Sequence, residues 1–149
     1  MADPVEMAAL EELLSGQRFA VLATSDKGAP YGNLVAFTAV DNASTLLFAT
    51  HSATRKFENI TSDNRVALVI DNRTNDPKDL HSAHIATALG TARPLEGNDR
   101  EEGLALFLAK HGYLEDRFES PEFILFEVQV EVFHVVTRFQ NVTEIRMRS

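Results

Sequence analysis

Tyr31-Gly32-Asn33-Leu34-Val35-Ala36-Phe37-Thr38-Ala39-Val40, followed by Asp41-Asn42-Ala43-Ser44 and then Thr45-Leu46-Leu47-Phe48-Ala49-Thr50, is a pair of apolar segments around one polar turn. Each segment has the length of a strand, and the residues between them favour chain reversal. Side chains alternate along a strand, so Leu34, Ala36 and Val40 share one face of the first segment and Val35, Phe37 and Ala39 the other. Neither face is polar, and this strand is expected to be covered on both sides, one of them by something flat.

Reading towards the N-terminus, Phe19 to Ala23 is a short apolar run. The turn Asp26-Lys27-Gly28-Ala29-Pro30 joins it to the strand beginning at Tyr31, which makes a hairpin. Before it, Asp3 as N-cap, Pro4 at the first helical position, Glu6, and the spacing of Met7, Leu10, Leu13 and Leu14 predict an amphipathic helix stopped by Ser15-Gly16. Reading towards the C-terminus, Ala53, Phe57 and Ile60 mark a short helix that ends at Thr61-Ser62-Asp63-Asn64. Arg65 to Ile70 is a strand, and Asp71 to Leu80 a polar loop. Ile85, Thr87, Leu89 and Thr91 restore strand character, and Leu104, Phe107, Leu108 and His111 form a helix face closed by Gly112. Ile124, Phe126, Val128, Val130 and Val132 then alternate with Glu127, Gln129 and Glu131, a strand with one buried and one wet face and the first of the one or two strands that end near Arg146. Strands joined by hairpins with short helical interruptions predict a mainly β (α+β) chain whose antiparallel sheet closes into a barrel. No repeat or composition break divides residues 1–149, so one domain is expected.

A chain of 149 residues is long enough to bury roughly 68–70% of its unfolded surface. It has no cysteine, which removes disulfides, thiolate nucleophiles, iron–sulfur clusters and cysteine-ligated zinc. The net charge of −8 opposes nucleic acid and anionic membrane as partners. No apolar run reaches the ~20 residues of a membrane span, and the acidic start is unlike a signal peptide, so a cytoplasmic protein is expected.

The chemistry is concentrated in Phe48-Ala49-Thr50-His51-Ser52-Ala53-Thr54-Arg55-Lys56-Phe57-Glu58-Asn59. A hydroxyl and two adjacent cations fall in the first turn of a helix at the end of a buried strand. Cations there oppose the helix dipole, whose N-terminus already carries about half a positive charge. A phosphate would compensate, held by free N–H groups, the Thr54 hydroxyl, the Arg55 fork and the Lys56 ammonium. The plainer alternative is that Arg55 and Lys56 are simply solvated; the two-sided apolar strand just before them favours the phosphate.

The stretch from Pro30 to Asp71 resembles the FMN-binding core of the pyridoxamine 5'-phosphate oxidase-like split β-barrel superfamily. The oxidases have a strand of the form Arg-x-Val-Leu-Leu-Lys, a hairpin, a strand ending in Phe-Thr, and Ser-Arg-Lys at a helix start. The counterparts are Asn33-Leu34-Val35-Ala36-Phe37-Thr38, Ala49-Thr50 and Thr54-Arg55-Lys56, followed by Asn59 and Asn64-Arg65-Val66-Ala67-Leu68. The resemblance implies an antiparallel split β-barrel with short flanking helices and FMN as cofactor. Arg55 and Lys56 would bind its phosphate with Thr54 as a further ligand. Asn33, Leu34, Val35, Ala36, Phe37 and Thr38 would line the isoalloxazine and ribityl chain, and Ala49 and Thr50 would contact the cofactor from the next strand. It also implies a homodimer with FMN at the subunit interface and a small-molecule electron donor and acceptor.

The chain departs from the oxidases where they carry Arg and Lys at the ends of the flavin strand, since Asn33 and Thr38 stand there, and their C-terminal substrate pattern is missing from Val136 to Val142. Oxidation of pyridoxamine phosphate is therefore not expected; flavin-dependent oxidoreduction of another substrate is. Alternatives are a flavin-binding module without turnover, a haem-binding or haem-degrading relative using His51, His84 or His134, and a deazaflavin in place of FMN. His81 and His84, near a strand start, would point to opposite faces and share no metal; His81, His111 and His134 read as surface or core histidines. His51, beside the phosphate cradle, is placed to hydrogen-bond a cofactor. Paired-carboxylate and serine-nucleophile catalysis find no support, since Glu11-Glu12 and Glu101-Glu102 are adjacent on helices and no Gly-x-Ser-x-Gly is present.

Overall fold

Lys27 and Gly28 both have positive φ, 52° and 84°, which gives the two-residue turn whose twist suits a hairpin between β1 (Phe19–Asp26) and β2 (Ala29–Val40). From this hairpin the sheet is built in both directions, with every pairing antiparallel. β2 pairs with β3 (Thr45–His51), and β1 pairs with β4 (Arg65–Asp71). β4 continues to β5 (Ile85–Pro94) and β6 (Phe123–Arg138), and β6 returns to β3, so that six strands close on themselves. β7 (Asn141–Arg146) is added to β6 outside the closure. The computed structural model describes residues 4–138 and 141–147; the Asp3 N-cap and the Phe139-Gln140 portion of the tail lie outside the described residues. The architecture is the expected mainly β, antiparallel split barrel with short flanking helices.

The barrel is filled by alternate residues of its strands, among them Leu22, Phe37, Phe48, Leu68, Phe126 and Phe133, all essentially inaccessible. Phe48 and Phe126 face each other across the β3–β6 seam as stacked rings 5.2 Å apart. Helix α1 (Pro4–Gly16) turns Leu10, Leu13 and Leu14 onto this core. Helix α2 (Arg55–Ser62) adds Phe57, whose ring meets Phe126 edge-on at 5.9 Å. Outside the barrel, helix α4 (Gly97–Lys110) buries Phe107 against Leu47, Leu95 and Leu125 in a second, smaller core.

Four features depart from the expectations or go beyond them. The alternation of β6 reverses after Val132, because Leu89 pairs with Val132 while Gly90 pairs with Val130, leaving Glu131 as a bulge; Phe133 and Val135 then point inward where Val128 and Val130 did before. A one-turn helix, α3 (Asp79–Ser82), ends the loop expected from Asp71, so His81 lies on that helix rather than at a strand start. Its turn is held by Asp79, whose carboxylate accepts from the N–H groups of Thr74 and Asp76 and from the Thr74 hydroxyl. α4 ends at Lys110, just before Gly112 as expected, but Gly112 then begins an unexpected 3₁₀ segment, Gly112–Glu119. Finally, the two faces of β2 differ within the single chain: Val35 and Phe37 are buried in the barrel, while Leu34 on the outer face is 62% exposed.

His111, between α4 and the 3₁₀ segment, is fully buried. Its Nε2 lies 2.7 Å from the Phe37 carbonyl and its Nδ1 3.0 Å from the Tyr113 hydroxyl. A carbonyl only accepts, so Nε2 carries a proton, and in the neutral ring that burial favours Nδ1 accepts from the Tyr113 hydroxyl. The neutral ring thus ties the outer layer to β2 with both nitrogens satisfied. Burial pushes its pKa below the ordinary histidine value; the bond to the Phe37 carbonyl opposes this, while Lys110 and Arg18 add to it.

Two stability effects are expected. A Cβ on Gly90 would stand 2.2 Å from the Gln129 carbonyl oxygen, whereas one on Gly32 would meet nothing nearer than 3.8 Å. Gly90→Ala should therefore cost about 2–3 kcal/mol in urea unfolding, and Gly32→Ala should be tolerated. For His111 the folded pKa lies below the unfolded value of about 6.5, so its contribution is complete above that pH and is lost as the pH falls, when the unfolded chain takes up the proton first. The stability gap between wild type and His111→Gln should accordingly shrink between about pH 7 and pH 5.

Candidate functional site

β2 and β3 pair over only four positions, from Phe37 with Phe48 to Val40 with Thr45. Beyond them the strands part. The preceding stretch of β2 pairs with β1 alone, and Ala49 to His51 pair with β6 alone. The edge of β2 facing β3 is thus left without a strand partner over residues 33–36, and a cavity of about 350 Å³ opens in the split. Its walls are Leu34, Val35 and Ala36 from β2, Ala49, Thr50 and His51 from β3, and Thr54 and Lys56 at the start of α2. Phe19, Tyr113, Leu114, Arg117 and Phe123 complete it.

The start of α2 is held in place by side-chain bonds. Thr54 is its N-cap: the hydroxyl accepts from the Phe57 N–H at 3.3 Å, and lies 2.9 Å from the His51 carbonyl and 3.1 Å from the Thr50 hydroxyl. One turn later, buried Asn59 donates from Nδ2 to the Thr24 hydroxyl at 3.0 Å, anchoring the helix to β1. At the far end, Arg65 donates to both carboxylate oxygens of Asp63, and these bonds hold that carboxyl well below the usual range.

Around this turn the N–H groups of Ser52, Ala53, Thr54, Phe57 and Glu58 are all taken within the chain. Among the described residues no hydrogen bond uses those of Arg55 and Lys56, the first two positions of the helix, where no intrahelical acceptor exists. Nor does either side chain form an ion pair among the described residues. Arg55 lies over the Tyr31 ring at 5.5 Å, and Lys56 Nζ donates to Asn33 Oδ1 at 3.4 Å. Burial pushes the Lys56 ammonium below its ordinary pKa, with Tyr31 pulling the other way. Two cations and two unused N–H groups at one helix N-terminus form a site for an anion, and a dianion such as a phosphate monoester answers all of them.

Of the residues expected from the sequence, Leu34, Val35, Ala36, Ala49, Thr50, Thr54 and Lys56 meet in this one cavity. Asn33 joins through Lys56, and Arg55 stands at the exposed rim beside Tyr31. Phe37 and Thr38 are not brought there: the Phe37 side chain fills the barrel and its carbonyl is taken by His111, while Thr38 lines a different cavity. His51 is held at both nitrogens, with Nδ1 accepting from the Ala53 N–H at 3.0 Å and Nε2 lying 3.1 Å from Glu122. His134 faces Glu144 at 3.6 Å. Tyr113, Leu114 and Arg117 had not been expected. They come from the 3₁₀ segment, whose sparse apolar residues lack a helical or strand period. Among the described residues no group of His, Asp and Glu is arranged to hold a metal, and no helix is long and apolar enough to cross a membrane.

No curated protein matches the chain in sequence. Among solved structures, the heme binding protein from Mycobacterium smegmatis superposes with a TM-score of 0.85 at 14% identity, over 98% of this chain and 60% of that one. The chain thus spans 60% of the length of that protein. A protein of the pyridoxinephosphate oxidase family related to general stress protein 26, from Clostridium acetobutylicum, gives 0.76 at 16% identity, over 98% of this chain and 97% of that one. A FAD-binding protein from Mesorhizobium loti gives 0.70 at 15%, over 90% and 94%. At such identities these likenesses concern the fold. The family described as Pyridoxamine 5'-phosphate oxidase matches residues 7–137, nearly the whole barrel, and the chain belongs to that family.

Proposed function

We propose that this chain binds FMN in the split between β2 and β3 and acts, as a homodimer, as a flavin-dependent oxidoreductase on a substrate other than pyridoxamine phosphate. The observation that carries this reading is the convergence of Arg55, Lys56 and their two unused N–H groups at one end of an apolar cavity beside an unpaired strand edge. The residues present fit the cofactor. A phosphate satisfies the helix start, and the free edge of residues 33–36 supplies backbone donors and acceptors for a heterocycle. Leu34, Ala36 and Ala49 offer a flat apolar surface for its ring.

When bound, FMN supplies the hydride and electron transfer itself. The chain's residues then bind, orient and exclude water. Lys56 and Arg55 fix the phosphate end, and Asn33 holds Lys56 in place. Thr54 keeps the helix start in register through the cap rather than by offering its hydroxyl. Arg117 of the 3₁₀ segment also lines the cavity, and its cationic side chain suits an anionic or strongly polar electron donor or acceptor. A cavity of 350 Å³ is near the lower bound of ligand sites, roughly 300–1,000 Å³, and it is open on the side of exposed Phe19 and Leu34. A second copy seated on those side chains would complete it.

A flavin module without turnover shares every binding contact and differs only in reduction by a nicotinamide donor. The haem reading has less support in the geometry, since both His51 nitrogens are engaged, His134 faces Glu144, and His84 is not among the residues lining the cavity. The direct test is the visible spectrum of the protein titrated with FMN. Stoichiometric binding with shifted flavin bands is expected, and Arg55→Ala/Lys56→Ala should weaken it at least about tenfold for each ~1.4 kcal/mol of phosphate contact removed. No flavin affinity in the wild type, or unchanged affinity in the double variant, would overturn the assignment; a Soret band on haem titration would then replace it.

A further inference from the structure

At the end of the barrel beneath α1 lies a separate cavity of about 580 Å³. Most of its wall is apolar: Met7, Leu10 and Leu14 from α1, Ala39 and Val40 from the end of β2, and Met147 after β7. One cation, Lys110 at the end of α4, also lines it. Its Nζ donates to the Leu14 carbonyl at 3.1 Å and stands 4.2 Å from the centre of the Phe37 ring. Among the described residues Lys110 has no carboxylate partner. An ammonium has three donors; here one is used by a carbonyl and the positive charge is met only by a ring face.

A partly buried charge so poorly compensated is costly, and a chain with eight more negative than positive formal charges has carboxylates enough to pair it. The carboxylates nearest this cavity, Glu11 of α1 and Asp41 of the β2–β3 turn, are both exposed at its rim and do not close on Nζ. His111 is next in sequence, but burial favours its neutral form. The turn beside the cavity, Asp41, Asn42 and Ala43, has all three residues at positive φ, 53°, 56° and 71°, and lines its edge. What remains is a largely apolar cavity with Glu11 and Asp41 at its rim and one cation in its wall, Lys110, that no carboxylate pairs among the described residues.

We infer that this cavity is a binding site for a small amphipathic carboxylate, such as a medium-chain fatty acid, whose anionic head pairs with Lys110 and whose chain lies against Met7, Leu10, Leu14 and Met147. The site is separate from the flavin cavity and does not depend on it, because the two share no lining residue. Burial pushes the free Lys110 ammonium down to about 8, so it is charged at neutral pH and loses its proton in mildly alkaline solution. An anion bound beside it would raise that value again, and binding should therefore take up a proton as the pH approaches 8.

The test is calorimetric titration of the full chain with decanoate, with decanol as the uncharged control. Decanoate should bind at one site near neutral pH and about tenfold more weakly at about pH 9, while decanol binding should not depend on pH. Lys110→Met should reduce decanoate affinity to that of decanol and leave FMN binding unchanged. Should that variant fold poorly, wild-type protein answers the same question, because decanoate should protect Lys110 from reductive methylation while decanol does not. Equal affinity for decanoate and decanol, no binding at millimolar decanoate, or unprotected Lys110 would each overturn the assignment.

Discussion

β3 leaves β2 after four residue pairs and completes its length on β6, and everything that makes this barrel more than a filled cylinder follows from that departure. A closed sheet normally satisfies every edge. Here closure is achieved through β6, so the β2 edge over residues 33–36 can remain open without exposing the core, which is sealed by Phe37, Phe48 and Phe126. The open edge forms one wall of the cavity. The chain leaving the far end of β3 must turn at once, and that turn delivers the start of α2 to the same place.

The helix start would be a liability anywhere else. Arg55 and Lys56 oppose the helix dipole and find no carboxylate among the described residues, and Lys56 is partly desolvated as well. The cost is held in place by contacts elsewhere: the Thr54 cap, the buried Asn59–Thr24 bond, and Phe57 packed on Phe126. A helix fixed so firmly cannot turn its cations away into solvent by rearranging its backbone. Fold stability and anion affinity are in this sense supplied by different residues of one turn, which is what allows Arg55 and Lys56 to be removed without touching the core. Their Cβ positions lie outside the barrel, and neither is a core residue.

Much of this was legible before the structure. The early strands announce themselves as apolar runs between turn residues, the strand from Ile124 to Val132 by alternation, and the Thr54-Arg55-Lys56 cradle by cations where a helix does not want them. What was not legible has identifiable causes. The bulge at Glu131 inverts the inward face of β6, and only the close approach of Gly90 to Gln129 reveals it. Phe37 and Thr38 continue the strand that lines the cavity, yet the split ends before them, because pairing with β3 begins at Phe37. The 3₁₀ segment carries Leu114 and Phe118 among acidic residues with no regular period, so neither it nor the Tyr113 and Arg117 it contributes could be placed. His51, promising in sequence, is already committed to Ala53 and Glu122.

In the proposed flavin site the ligand is anchored by its phosphate. Riboflavin carries the same ring and ribityl chain as FMN without that group, so comparing the two affinities in the same protein isolates the contribution of Arg55, Lys56 and their N–H groups. Riboflavin should bind on the order of a hundredfold more weakly than FMN, about 2.7 kcal/mol, and the gap should narrow as salt is raised. Equal affinity for the two flavins would contradict that anchoring and leave the cations at α2 as solvated surface residues.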